Sequence, residues 1–253
     1  MINSAMASSP EPLQDVFERL PKEVLLDIVK LSSDFSCLWS IIISSRTVAV
    51  LFTKLALEII NAVAAAIVPD QTRALMWALL RARVSNYRAL DEARNVTSTT
   101  ITPLSSIDTK DSNSLRYLVF MGHKIHVLAH MCIDYYIRES LTMRPSTIIE
   151  PPTHGWNIQN WFKTSKGQAY QPRDTGPLSW IEEQRAIKSL WLIELFSELN
   201  TAQTTGLLNW SKDELEILSN ASLARFYIVR DFELQQILTV CEFLQISKEK
   251  ISL

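Results

Sequence analysis

Apolar and polar positions alternate with helical period along most of this chain. Val24, Leu25, Ile28 and Leu31 recur at three- and four-residue spacing and predict a first helix over 22–31 with one apolar face. Pro21 stands just before it, where a missing backbone N–H costs nothing. Ser33 or Asp34 is placed to cap a second helix carrying Phe35, Leu38, Trp39, Ile41 and Ile42. A third helix starts near Arg46: Val48, Leu51, Phe52, Leu55, Ala56, Ile59 and Val63 follow the i, i+3, i+4, i+7 pattern.

The pattern continues after a break at Pro69. Asp70 is suited to cap a fourth helix reaching about 84, with Leu75, Ala78 and Leu79 inward, and a shorter helix follows to 94. The arginines from Arg73 to Arg94 are interspersed with Asp70, Asp91 and Glu92, so they read as a solvated face. A Ser- and Thr-rich loop is expected over 95–113, then a long helix over 114–143. Residues 144–178 hold five of the ten prolines and three of the five glycines and read as a second long loop, in part packed down by Trp156, Trp161, Phe162 and Tyr170. Ser179 with Glu182, and Ser211 with Glu214, are capping boxes that open two further helices. Asp231 is expected to cap a last helix running through 244.

Five glycines in 253 residues leave little material for tight hairpins or phosphate-cradling loops. The fold class that follows is all-α. A formal net charge of -2 supplies no electrostatic pull toward nucleic acid or an anionic membrane. Cys37, Cys132 and Cys241 are too far apart for a zinc ribbon or a disulfide framework. The first dozen residues lack the apolar stretch of a signal peptide, and the run over 55–68 is interrupted and too short to cross a bilayer. A cytoplasmic or nuclear protein is expected, with no membrane partner and sequons at Asn95, Asn209 and Asn220 left unmodified.

Candidate chemistry is sparse. His123, His126, His130 and Asp134 share one helical stripe and are ligand types that suit zinc. His126 and His130 could share an ion, but a ligand three turns from the first could not join them unaided, and the HExxH glutamate is missing. The stripe reads as a half-exposed polar face, so no metal and no cofactor are expected. There is no G-x-S-x-G elbow. Cys132 falls on the apolar side of its helix as a buried thiol. Glu182 is taken by its capping box, and Glu183 reads as solvated. Trp180 and Trp191, at helical spacing, read as core. No catalytic site emerges, and the chain reads as a non-enzyme.

The segment Leu20-Pro21-x-Glu23-Val24-Leu25-x-x-Ile28, an apolar second helix with Leu38, then Ser45-Arg46 ahead of the third helix and Phe52 within it, resembles the F-box motif. Residues 34–42, 57–60 and 177–185, followed by Leu190-Trp191, are similar to the F-box-like proteins of filamentous fungi. The chain departs from the motif at Ser32 and Ser44, where apolar residues are usual. Residues 1–15, Ser-, Pro- and Glu-containing with little apolar content, read as a disordered start. The resemblance implies a trihelical F-box-like unit over 16–66 and a helical body over 67–253 packed on or continuous with it. It implies a non-catalytic adaptor that binds Skp1 through Leu20, Pro21, Leu25, Ile28, Leu38 and Phe52 and presents a protein substrate to a cullin-RING ubiquitin ligase. Two other readings stand beside it: a helical interaction or structural protein without Skp1 binding, and a metal-dependent enzyme using the histidine stripe.

Overall fold

A computed structural model describes residues 15–84, 89–96, 112–143, 146–147, 168–169, 172–174 and 176–251. The protein is all-α. Among the described residues a short 3-10 turn, Val16–Arg19, leads into ten helices: α1 Lys22–Lys30, α2 Phe35–Ser44, α3 Arg46–Ile67, α4 Asp70–Arg83, α5 Leu90–Arg94, α6 Ser112–Thr142, α7 Trp180–Thr204, α8 Lys212–Asn220, α9 Leu223–Phe226 and α10 Asp231–Ile251. Two strands of two residues each, Ser146–Thr147 and Gln168–Ala169, pair antiparallel. Most of the two expected loops, with Trp156, Trp161, Phe162 and Tyr170, lies outside the described residues.

The chain divides into two compact units: residues up to 126 with 194–228, and residues 127–193 with 229–253. Residues 16–66 are therefore not set apart as a domain. They share the first unit with the rest of that segment and with the second half of α7.

The first unit opens with local caps that hold α1 to α3 in register. Pro21 precedes α1, and its carbonyl accepts from the Leu25 N–H. Asp34 caps α2 by accepting from the Cys37 N–H at 2.6 Å, and Ser45 caps α3 by accepting from the Val48 N–H at 3.1 Å. Asp15 reaches across from the first turn: one carboxylate oxygen accepts from the Ser45 hydroxyl at 2.7 Å and from the Thr47 N–H at 3.0 Å. The Thr47 N–H and the Ser45 hydroxyl hold its carboxyl down to about 2. α1 and α2 both pack on α3, and Lys30 adds an ion pair to Glu58 at 2.6 Å. α3 bends at Leu55, where φ is -126° and ψ 22°. By length and composition α3 is apolar enough to cross a membrane, but Val48, Phe52, Ile59, Ile60 and Val63 bury one side of it in the protein's own core.

α4 is buried almost all round, from Ala74 to Ala82. Its arginines do not form a solvated face. Arg73 pairs with Asp70, Arg81 lies buried with Glu92 at 2.5 Å, and Arg83 meets Glu198 at 3.2 Å and stacks over the Tyr117 ring at 3.8 Å. Arg94 donates to the Phe226 carbonyl. Asp70 is the first helical residue rather than the cap, a place taken by Pro69. The Ser211–Glu214 box forms as expected, and Glu214 uses its other oxygen to accept from the Leu90 N–H at 3.0 Å. The first half of α6 lies against α2: Trp39 and Phe120 rings are 5.3 Å apart, and Gly122 sits where a Cβ would come within 2.8 Å of Phe35 Cγ.

In the second unit the later part of α6, the earlier part of α7 and α10 carry the core of Ala129, Cys132, Leu190, Trp191, Ile237 and Phe243. Lys188 pairs with Glu233 at 2.7 Å, and the Tyr136 hydroxyl donates to the Thr239 carbonyl at 2.9 Å. Ser179 and Glu182 exchange the bonds of the other capping box. Trp191 is core, but Trp180 is 60% exposed, because as the first residue of α7 it precedes the turn that packs. The cap of α10 is Arg230 rather than Asp231: its carbonyl accepts from Glu233 and Leu234, and its N–H donates to the Glu233 carboxylate.

Candidate partner-binding surface

α1 has two apolar faces rather than one. Leu25, with 1% of its surface exposed, and Val29 point into the core, one turn apart. Pro21, Val24, Ile28 and Leu31 sit at i, i+3, i+7 and i+10 and face outward. Val24 is 46%, Ile28 39% and Leu31 82% exposed, and Val16 on the preceding turn is exposed as well. At 100° per residue the two rows are adjacent, so a single stripe in the sequence becomes a core row and a surface row.

The six candidate partner-binding residues separate along the same line. Pro21 and Ile28 are exposed and Leu20 is half-buried. Leu25, Leu38 and Phe52 are almost fully buried, so they cannot touch a partner. Leu38 and Phe52 are buried residues of α2 and α3, which pack on each other. Val24 and Leu31, which are not among the six, share the exposed row with Pro21 and Ile28. The signal was present in their spacing with Ile28, which matches a surface row as well as a core row.

The histidine stripe on α6 is also divided. His123 Nδ1 lies 3.0 Å from the Ser36 hydroxyl, in the first unit. His130 Nε2 lies 3.2 Å from Glu183, in the second. Asp134 is exposed and, among the described residues, joins no three-ligand group with the histidines. Glu183 is thus half-buried beside an imidazole instead of solvated. Its recruitment from α7 could not be read from the spacing on α6.

Burial pushes the Cys132 thiol up to about 11 and raises the Cys241 thiol too, which favours the protonated form of both. Burial and the neighbouring Glu194 likewise raise the Tyr117 hydroxyl to about 12.

No family model matches the chain, and no curated protein and no solved structure matches it.

Proposed function

We propose that this chain is a non-catalytic F-box-type adaptor, which docks a Skp1-like partner on the outer face of α1 and presents a protein substrate to a cullin-RING ubiquitin ligase. One observation carries the reading: the row Pro21, Val24, Ile28 and Leu31 is apolar, regular and uncovered. Such surface on a helix normally marks an interface. The same row lies within the segment that resembles the F-box motif. Leu20 extends it at one end, while Leu25 of α1 and Leu38 and Phe52 of α2 and α3 lie in the core.

The test is complex formation between the full chain and a purified Skp1-like adaptor, followed by gel filtration. Ile28→Glu combined with Leu31→Glu should abolish the complex and leave the melting temperature within about 2 °C, since both side chains are exposed. Absence of a complex with the unaltered chain overturns the proposal. A complex undiminished by the double substitution overturns the assignment to α1.

A second reading, a helical interaction protein without Skp1 binding, draws on the burial of Leu25, Leu38 and Phe52. It predicts no complex, and insensitivity of any other partner to the α1 variant.

A further inference from the structure

We propose that a groove in the first unit, between the start of α1 and the opening turns of α3, binds an acidic peptide by taking in one large apolar side chain. The groove has a volume of about 270 Å³. Its floor is Leu51, with 8% of its surface exposed and Leu25 buried beneath it, and Val50 forms an exposed wall. Lys22, Arg46 and Lys54 stand around it, with Glu18 also lining it.

The charge is what selects the occupant. Three cations less Glu18 and the ionised Asp15, which is bonded to the Thr47 N–H at the edge of the groove, leave this small site with a charge of about +1, in a chain whose net charge is -2. Lys30, Arg73, Arg81, Arg83 and Lys188 each have a carboxylate partner. Among the described residues no ion pair engages Lys22, Arg46 or Lys54. Lys22 and Arg46 are also the first residues of α1 and α3. A cation at that end opposes the helix dipole, so neither is placed for the stability of its own helix. Both add to a positive rim around an apolar floor.

The volume sets the size. Sites for drug-sized ligands usually start near about 300 Å³, so this groove suits one large side chain better than a cofactor. A Phe, Trp or Leu seated on Leu51 and against Val50 would bring flanking Asp or Glu residues beside Lys22, Arg46 and Lys54. The occupant is therefore an acidic segment with a single apolar anchor.

This inference does not depend on the adaptor reading. Lys22 and Leu25 lie on a different side of α1 from Ile28 and Leu31, so the two surfaces can be altered separately.

The experiment is fluorescence anisotropy with the full chain and labelled peptides. A peptide of sequence Glu-Asp-Phe-Asp-Glu should bind, and more weakly as salt rises. Replacing its Phe by Ala should weaken binding about tenfold or more, the usual effect of losing one buried apolar side chain. Lys-Lys-Phe-Lys-Lys should not bind. Lys22→Glu with Lys54→Glu should also weaken binding about tenfold or more, with the melting temperature unchanged. Val50→Trp, which fills the groove from its exposed wall, should abolish binding, whereas Ile28→Glu should leave it intact. No binding of the acidic peptide overturns the proposal. So does equal binding of the Ala peptide, insensitivity to Val50→Trp, tighter binding of a free apolar carboxylate such as hexanoate, or a groove occupied by a second copy of the chain in sedimentation.

Discussion

α1 and α4 have nearly the same apolar share, five of nine residues and eight of fourteen. Their fates differ. All eight apolar residues of α4 are buried, and the helix also takes Thr72 and Arg81 inside. In α1 only Leu25 and Val29 are buried. An apolar residue that the fold does not use is ordinary when it stands alone. Val24, Ile28 and Leu31 stand in a row, beside a proline that opens the helix. α4 is therefore explained by the fold, whereas the outer face of α1 needs a second explanation, which the proposed partner would supply.

Matched truncations break or confirm this contrast most directly. Leu79→Ala in α4 should cost about 2–5 kcal/mol in urea denaturation, because the side chain is fully buried. Ile28→Ala in α1 should cost less than about 0.5 kcal/mol. If the two costs were equal, the outer row of α1 would be covered by the chain itself, and the contrast would fail.

The next effect concerns the charge that α4 brings inside. Glu92→Ala should cost about 1–3 kcal/mol, less than for a fully buried pair because about a third of the Glu92 side chain is exposed. Arg81→Met added to Glu92→Ala should recover part of the loss, since it removes the stranded cation. Thermal melts of the single and double variants check this. No recovery would mean that Arg81 is held by its other contacts, and that α4 buries it without needing Glu92.

What could be read from the sequence was local. The cap at Asp34 and the boxes at Ser179 and Ser211 depend on residues three apart, and they formed as the spacing requires. The all-α class followed from glycine scarcity and helical period. The reading of α1 failed by a rotation of one residue, because Leu25 and Val24 satisfy the same i, i+3, i+4 rule and only the position of α3 decides which is inside. Arg81 with Glu92, His123 with Ser36 and His130 with Glu183 were out of reach for another reason. Each joins different helices, and a charge pattern along one helix cannot name its partner on another. The residues taken from the F-box resemblance fall on both faces: Pro21 and Ile28 are exposed, whereas Leu25, Leu38 and Phe52 belong to the core.

A smaller effect separates the inside of this three-helix segment from its outside. Gly122→Ala on α6 would place a methyl 2.8 Å from Phe35 Cγ and 2.9 Å from its Cβ, near the root of the side chain, which cannot swing away. Overpacking of this kind costs about 1–3 kcal/mol. Alanine's better helix propensity returns up to about 1 kcal/mol. With the full return the net expectation is a loss of about 0–2 kcal/mol by urea denaturation. A gain in stability would mean that α2 and α6 can part at no cost, and that this face is no more closed than the outer face of α1.

The smallest effect lies at the hinge between the two faces, where Asp15 ties the first turn to the start of α3. Its carboxyl is held at about 2 against an ordinary value of 3.8, so the folded state keeps the proton off more strongly than the unfolded chain does. A lowered folded value stabilises the protein above the unfolded pKa, and that contribution fades as pH falls from about 4 to about 2. Asp15→Asn cannot lose a proton and should melt lower than the unaltered chain by a constant interval above pH 5. The interval should close across the window from pH 4 to 2. Because the carboxylate is solvent-accessible, the interval should be small, and an interval that persists to pH 2 would assign the anchoring to the geometry of the bonds to Ser45 and Thr47 rather than to the charge. In either case hydrogen exchange at Thr47 and Val48 should quicken in Asp15→Asn, whereas exchange within α4 should not change.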